Sequence, residues 1–495
     1  MIEMNSDEVR QPTGVPGCDE ITGGGLMTGR SYLLVGTPGS GKTVLSLQWL
    51  RDGVRRSEEG MYISLCDPVE QIARDVTSFG WDLKGIAMVD LSPRGDDLDE
   101  HVGDYHMFPP SEVESVPVWR AIYAAVRDKQ PRRVVIDSAT QLHYLSTDEY
   151  QYRKHILGLV QFLNRQGVTS LIAYEPRLMD QDMSAELAVD GVLRLRAEIS
   201  STLGIGLRSL QVDKMRGSDF MSGRHPLRID AGGITVYPHR IERTGLLEPT
   251  GEQISSGIAT LDALLGGGLE SGTTTLLTGP SGTGKSTLGT QFLAHNAARL
   301  PAVLYTFEEA PAFIVARSRS IGHPIDAALA DGSLQVVRIN PLELYPDEFL
   351  AMVRRAVEVD GRRMVMIDSL RGYQMAMEEF GRPQAHIHNL IAYLSRQGVS
   401  TLLINEVEHI TSTSLKATDL GVSHLADNIV LLRYAEYASC VIKVIGCLKK
   451  RVGGFEPELR QLQVGQEGIE VSAKLQHLQG VLSGMPVVLR SDTLP

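Results

Sequence analysis

Short uninterrupted apolar runs alternate along the chain with longer amphipathic stretches. The first half carries runs at residues 32–35, 61–65, 86–91, 133–137 and 170–174, and the second half repeats the order at 274–277, 303–307, 334–339, 363–367 and 401–404. An apolar run of four to seven residues fits a strand buried on both faces. Strands separated by helices imply a largely parallel sheet covered on both sides. The pattern predicts an α/β fold in two tandem halves, each a mainly parallel sheet flanked by helices.

In each half one run leads into a glycine loop that opens a helix-forming stretch. The first loop is Gly36-Thr37-Pro38-Gly39-Ser40-Gly41-Lys42-Thr43, and the second is Gly279-Pro280-Ser281-Gly282-Thr283-Gly284-Lys285-Ser286. Glycines let successive backbone N–H groups turn inward around a phosphate, and the helix that follows adds its positive N-terminal end. Lys42 and Lys285 would reach the β- and γ-phosphates, while the Thr43 and Ser286 hydroxyls would hold Mg²⁺. ATP and Mg²⁺ are therefore the expected cofactors.

The likeness between the halves extends beyond the loops. Thr13-Gly14-Val15-Pro16-Gly17 and Gly23-Gly24-Gly25-Leu26 align with Ser256-Gly257-Ile258-Ala259-Thr260 and Gly266-Gly267-Gly268-Leu269. A period of roughly 240 residues is too long for a solenoid, so each copy is a whole domain. The expected division is a loose polar N-terminus at 1–11, a first domain at 12–241 and a linker at 242–253. A second domain at 254–482 and a short tail at 483–495 complete it. An acidic, proline-containing insert at 92–117 reads as a surface loop, with partner binding as its minority role.

A phosphate loop also needs a carboxylate on the metal side, at the end of a buried strand. Asp137 and Asp368 occupy that place, each after an apolar run and each followed by a serine, Ser138 or Ser369. Large ring-forming chaperone ATPases carry a catalytic Glu where these serines stand, so the base must come from another strand. Glu308 and Glu309, ending the run at 303–307, are the candidates to polarise an attacking water or hydroxyl. Anchoring on strand ends places Cys66 opposite Glu308 and Asp67 opposite Glu309. A thiol is a poor substitute for a carboxylate base at neutral pH. The first site should bind ATP and hydrolyse it slowly unless Asp67 reaches the water.

Charge and cysteine content narrow the class further. A formal net charge of −12 argues against general affinity for phosphate backbones. The four cysteines, Cys18, Cys66, Cys440 and Cys447, show no metal-ligand or redox spacing. No secretory N-terminus or long uncharged apolar run is seen, which points to the cytoplasm and away from a membrane.

With these residues in view, the chain resembles the KaiC circadian-clock ATPases of the RecA superfamily over nearly its whole length. The likeness rests on the paired loops introduced by Gly-Gly-Gly-Leu, the Asp-Ser strand ends and Phe307-Glu308-Glu309. Ser78-Phe79-Gly80-Trp81-Asp82-Leu83 and Lys214-Met215-Arg216-Gly217-Ser218 add to it. The resemblance implies two RecA-like domains and a double-ring homohexamer with ATP between neighbouring subunits. It implies that Lys214 and Arg216, and Lys449 and Arg451, touch a neighbour's phosphates, with Arg208 and Lys443 six residues upstream of the lysines. Asn405, Glu406 and Glu175 match its γ-phosphate-sensing position.

The resemblance further implies serine/threonine autokinase activity in the second domain. Here the acceptor segment 418–427 keeps Ser423 and has His424 where the second acceptor would stand, so a single-site cycle on Ser423 is the expectation. The chain ends at Pro495, where the clock protein continues into a KaiA-recruiting segment, so KaiA is not an expected partner. A KaiB-like or other signalling protein remains open. Three readings stand: an ATPase and autokinase switch, an ATP-assembled binding platform, and a nucleic-acid motor. The motor is disfavoured by the acidic charge and an aromatic content of 6%. No Leu-Ser-Gly-Gly-Gln signature supports a transporter ATPase.

Overall fold

The computed structural model describes residues 10–93, 110–144, 146, 149–176, 184–200, 204–241, 251–323, 325–377, 380, 383–407, 424–437, 439–475, 478–481 and 487–488. The chain divides into two compact units, Met1–Arg240 and Ile241–Pro495. Each is built on a nine-stranded sheet.

In the first unit the loop-bearing strand Ser31–Gly36 lies between Thr169–Tyr174 and Gly191–Ile199, parallel to both. The parallel part continues through Arg133–Asp137 and Gly60–Ser64 to Ile86–Asp90 at the edge. Strand residues alternate between two cores. Tyr32 and Leu34 pack with Trp49 on one face, and Leu33 and Val35 pack with Trp119 and Ile122 on the other. With both faces covered, most positions along these strands are apolar, which is why they read as runs.

The second unit repeats this arrangement. Thr274–Gly279 is flanked in parallel by Ser400–Glu406 and Asn428–Tyr437, and the sheet continues through Met364–Asp368 and Ala302–Thr306 to Leu334–Arg338. Leu276 and Leu277 point into opposite cores, as do Val303 and Leu304.

Each sheet also has three antiparallel strands that the apolar runs did not predict. They are Gly206–Met215, Arg224–Asp230 and Gly233–Val236 in the first unit, and Cys440–Lys450, Arg460–Gly465 and Gly468–Lys474 in the second.

Three further differences from the sequence reading concern segment edges. The 92–117 stretch is not loop throughout, because a helix runs over Pro110–Lys129. Pro110 stands in the first turn, where proline is tolerated, and Trp119, Ile122 and Val126 form the buried stripe that anchors this helix. Arg10 and Gln11, grouped above with a loose N-terminus, pair with Leu26–Met27, and Gln11 is buried. Gln253, grouped with the linker, pairs with Glu270 in the matching place of the second unit. The acidic stretch 94–100 and residues 242–250 lie outside the described residues.

Candidate functional site

In the second unit the parallel strands bring the groups of a candidate phosphate site together at their finishing ends. The strand Thr274–Gly279 ends in the glycine loop, and the helix Lys285–Asn296 starts from Gly284, whose φ of 105° lies in the left-handed region. A Cβ on Gly279 would stand 2.0 Å from the Leu432 carbonyl oxygen, so close backbone approach requires glycine there. Thr283 Oγ1 donates to the Pro280 carbonyl at 2.9 Å, and the buried Lys285 Nζ donates to the same oxygen at 2.7 Å. Burial pulls the Lys285 ammonium below its ordinary value, against the opposing charges of Glu406, Asp368 and Glu308.

The carboxylates converge on that lysine from neighbouring strands. Asp368 ends the strand Met364–Asp368; burial pushes its carboxyl up to about 6, opposed by a hydrogen bond with Ser286. Ser369 Oγ donates to Glu308 Oε1 at 2.5 Å. Arg317 holds Glu309 through Nη1, at 2.8 and 2.9 Å to its two oxygens. Lys285, Ser286, Glu308, Asp368, Arg317 and Lys443 face a common cavity of about 440 Å³, within the usual size range of small-molecule sites.

The first unit has the same frame with different chemistry. Its strand Ser31–Gly36 leads through the loop to the helix Lys42–Arg55, which starts from Gly41 at φ 106°. Lys42 Nζ, buried, donates to Gly36 O at 2.9 Å, Thr37 O at 3.2 Å and Glu175 Oε1 at 2.7 Å. Thr43 Oγ1 donates to Asp137 Oδ2 at 2.9 Å, and the Tyr62 hydroxyl donates to the same oxygen at 2.5 Å. Burial raises the Asp137 carboxyl, and these two hydrogen bonds oppose it.

Cys66 Sγ lies 3.5 Å from Ser138 Oγ, the place that Glu308 takes against Ser369. Ser64 Oγ donates to the Asp67 carbonyl at 2.5 Å as Thr306 Oγ1 does to that of Glu309 at 2.8 Å. The strand-end pairing of Cys66 with Glu308 and of Asp67 with Glu309 is thus matched by local geometry. In both units the Asp-Ser peptide, 137–138 or 368–369, is cis.

A hydroxyl and a carboxylate at the start of a phosphate-loop helix suit Mg²⁺. That ion takes oxygen ligands, keeps several waters and fills its shell with substrate phosphates rather than an all-protein cage. Thr43 with Asp137, and Ser286 with Asp368, supply that donor set. Among the described residues no cluster of three or more His, Cys, Asp or Glu is placed to hold a metal ion.

The basic residues fall at two different ends of the sheets. Lys214 pairs with Val192 and Lys449 with Ile429, near the starts of strands that run parallel to the loop-bearing strands, and so at the end of each sheet away from the loop. Lys214 Nζ donates to the Glu186 and Val189 carbonyls at 2.9 and 2.6 Å, and Lys449 Nζ to that of Ala426 at 2.6 Å. Arg216 follows Lys214 at the same end, its amide bonded to Asp190 O; Arg451 bridges Asp427 at 3.1 Å and the His424 carbonyl at 2.7 Å. None of these four lies beside the loop of its own unit. Arg208 and Lys443 lie at the loop end instead, opposite Ala197 and Tyr434, and Lys443 lines the cavity of its own unit. Of the sensing positions, Glu406 lines the cavity, and the buried Asn405 donates to Thr278 Oγ1 at 3.0 Å. Ser423 lies outside the described residues.

Two site residues escaped the sequence reading. Arg317 stands eight positions after Glu309, on the helix Pro311–Ser320, and no local pattern links the two. Tyr62 reads as one more apolar position in a buried strand, and only the register between strands shows its hydroxyl at Asp137.

Comparison with known proteins agrees with this duplicated frame. The chain is 29% identical to the circadian clock oscillator protein KaiC of Prochlorococcus marinus, over 96% of this chain and 94% of that protein. It is 26% identical to the circadian clock oscillator protein KaiC of Synechococcus elongatus, over 97% and 92%. The circadian clock protein KaiC3 of Synechocystis is 25% identical over 98% and 96%. The family described as ATPase: KaiC matches twice, at residues 11–241 and 254–476. The chain belongs to the KaiC family of ATPases and carries the family's domain in tandem.

Proposed function

We propose that this KaiC-family ATPase binds Mg-ATP at both loops, hydrolyses it in the second unit and phosphorylates itself there on Ser423. In this reading it works as a cytoplasmic signalling switch whose state is read by partner proteins. The observation that carries the reading is Glu308: its carboxylate, bonded to Ser369, faces the loop lysine across the shared cavity.

In the proposed reaction Glu308 accepts the proton of the attacking hydroxyl, from water or from Ser423. The new O–P bond forms at the γ-phosphorus as the bond to the β-phosphate oxygen breaks, and ADP leaves. Lys285 holds the transferring phosphoryl group. Bound Mg²⁺, beside Ser286 and Asp368, would neutralise charge on the phosphates. Arg317 secures Glu309, which leaves Glu308 as the better-placed acceptor.

The four basic residues at the far sheet ends support a ring in which Lys449 and Arg451, and Lys214 and Arg216, reach a neighbouring subunit's phosphates. A homohexamer is the assembly we propose. For the first unit a platform role is favoured by Cys66, which offers no carboxylate beside Ser138; ATP would there serve assembly more than turnover. A KaiB-like protein is one class of reader, and KaiA and nucleic acid are not proposed as partners.

The test is incubation with γ-labelled ATP, comparing the unsubstituted protein with Glu308→Gln/Glu309→Gln. The reading expects protein-bound label and released phosphate, both lost in the double variant, with label lost in Ser423→Ala. Phosphate release without label would leave an ATPase switch and remove the kinase. Neither product from the unsubstituted protein would leave the platform.

A further inference from the structure

The two units differ directly beneath their strand-end aspartates. In the first, Tyr62 is fully buried on the strand Gly60–Ser64. Ser64 pairs in parallel with Asp137, so Tyr62 lies two residues before that pairing and on the same face as Ser64. Its hydroxyl meets Asp137 Oδ2 at 2.5 Å, while Thr43 Oγ1 meets the same oxygen from the loop side at 2.9 Å. The second unit keeps the register, with Thr306 paired to Asp368, but the residue two positions before is Leu304. A leucine cannot donate.

The two donors on Asp137 differ in how firmly they are placed. Thr43 is half-buried, on the loop helix where a nucleotide would bind. Tyr62 belongs to a packed core with Tyr32, Leu34 and Trp49. A ring locked in such packing presents its hydroxyl at one fixed point. A carboxylate with one oxygen fixed in this way keeps its other oxygen in a set direction. Groups that brace metal-side ligands in this manner fix their orientation, and losing one costs roughly 10–100-fold in affinity for the ion or in activity.

We infer that Tyr62 is a positioning residue of the first nucleotide site, whose buried hydroxyl braces the Asp137 carboxylate for a divalent cation in a way the second unit does not share. The inference rests on reading Thr43 and Asp137 as the cation side of an ATP site.

The test uses the full chain carrying Lys285→Ala, so that the first site reports alone. Binding of a fluorescent ATP analogue is followed while Mg²⁺ is titrated, for Tyr62 and for the isosteric Tyr62→Phe. The Mg²⁺ concentration at half-saturation should rise about tenfold in Tyr62→Phe, with analogue affinity in EDTA unchanged. Direct Mn²⁺ binding, read by electron paramagnetic resonance with the analogue present, should weaken by a similar factor. An unchanged Mg²⁺ requirement overturns the inference. An equal loss with Mg²⁺ and in EDTA also overturns it, because that pattern marks a residue that only supports the fold. If Tyr62 protein itself shows no Mg²⁺-dependent binding, the ATP reading of the first loop fails, and the inference with it.

Discussion

Without nucleotide, the ionised Asp368 should carry a cost to stability that a single substitution relieves. Burial moves its carboxyl from 3.8 to about 6. That change corresponds to about 3 kcal/mol for keeping the group ionised at neutral pH, and one carboxylate edge facing the cavity lowers the figure to about 1–3 kcal/mol. Because the folded value lies above the unfolded one, the folded state binds the proton more readily. The penalty is therefore full above the folded value and fades as pH falls through 6 toward 4.

Asp368→Asn keeps the shape and an acceptor for Ser286 and removes the charge. Without nucleotide and Mg²⁺, urea unfolding at pH 7.5 should move the second unit's midpoint upward by roughly 0.5 M, given a dependence of about 2–3 kcal/mol per molar. The three tryptophans, Trp49, Trp81 and Trp119, all belong to the first unit. A circular-dichroism transition without a fluorescence counterpart thus reports the second. Lowering the pH to 5.5 should stabilise the Asp368 protein toward the variant. Stabilisation by Mg-ATP should be lost in the variant. A destabilised Asp368→Asn, or an equal pH response in both proteins, would refute the reasoning.

Other substitutions probe the remaining contacts. Cys66→Glu, made in a Lys285→Ala chain, puts a carboxylate beside Ser138 and should raise phosphate release from the first unit severalfold; no rise would mean that the missing carboxylate does not limit that site. Gly279→Ala drives a Cβ to 2.0 Å from the Leu432 carbonyl, so the second unit should lose about 2 kcal/mol or more together with its nucleotide, as read by calorimetry. Arg317→Ala breaks a half-exposed pair and should change stability by less than about 1 kcal/mol. It should nevertheless lower kcat with little change in KM, since Glu309 is then free to compete with Glu308 for position; steady-state ATPase kinetics decide.

Five parallel strands of each unit were legible because both of their faces are largely buried, so most positions are apolar, whereas Gly191–Ile199 and Asn428–Tyr437, also parallel to the loop strands, escaped the apolar runs. The loops were legible because their backbone path requires glycine at Gly41, Gly284 and Gly279, and because lysine and hydroxyl follow in fixed order. The antiparallel strands were not. Gly206–Met215 has one wetter face and carries Arg208, Asp213 and Lys214 among its apolar residues, which hides it from a search for apolar runs. The helix Pro110–Lys129 lay behind an acidic, proline-bearing stretch whose composition suggests a loop. Partners separated by a turn and a helix, such as Glu309 and Arg317, need three dimensions to be seen. Lys443 could be aligned from sequence, but the strand register was needed to place it at its own unit's loop while Lys449 lies at the far end.

The most direct measurement compares single-turnover ATP hydrolysis in Glu308→Gln and in Asp67→Asn. If the carboxylate beside Ser369 carries the chemistry and the first unit turns over slowly at most, Glu308→Gln should lower the released phosphate by about 10²-fold or more, as for loss of a proton-accepting group, while Asp67→Asn should leave release nearly unchanged. Full activity in Glu308→Gln with loss in Asp67→Asn would place hydrolysis in the first unit and contradict the central claim.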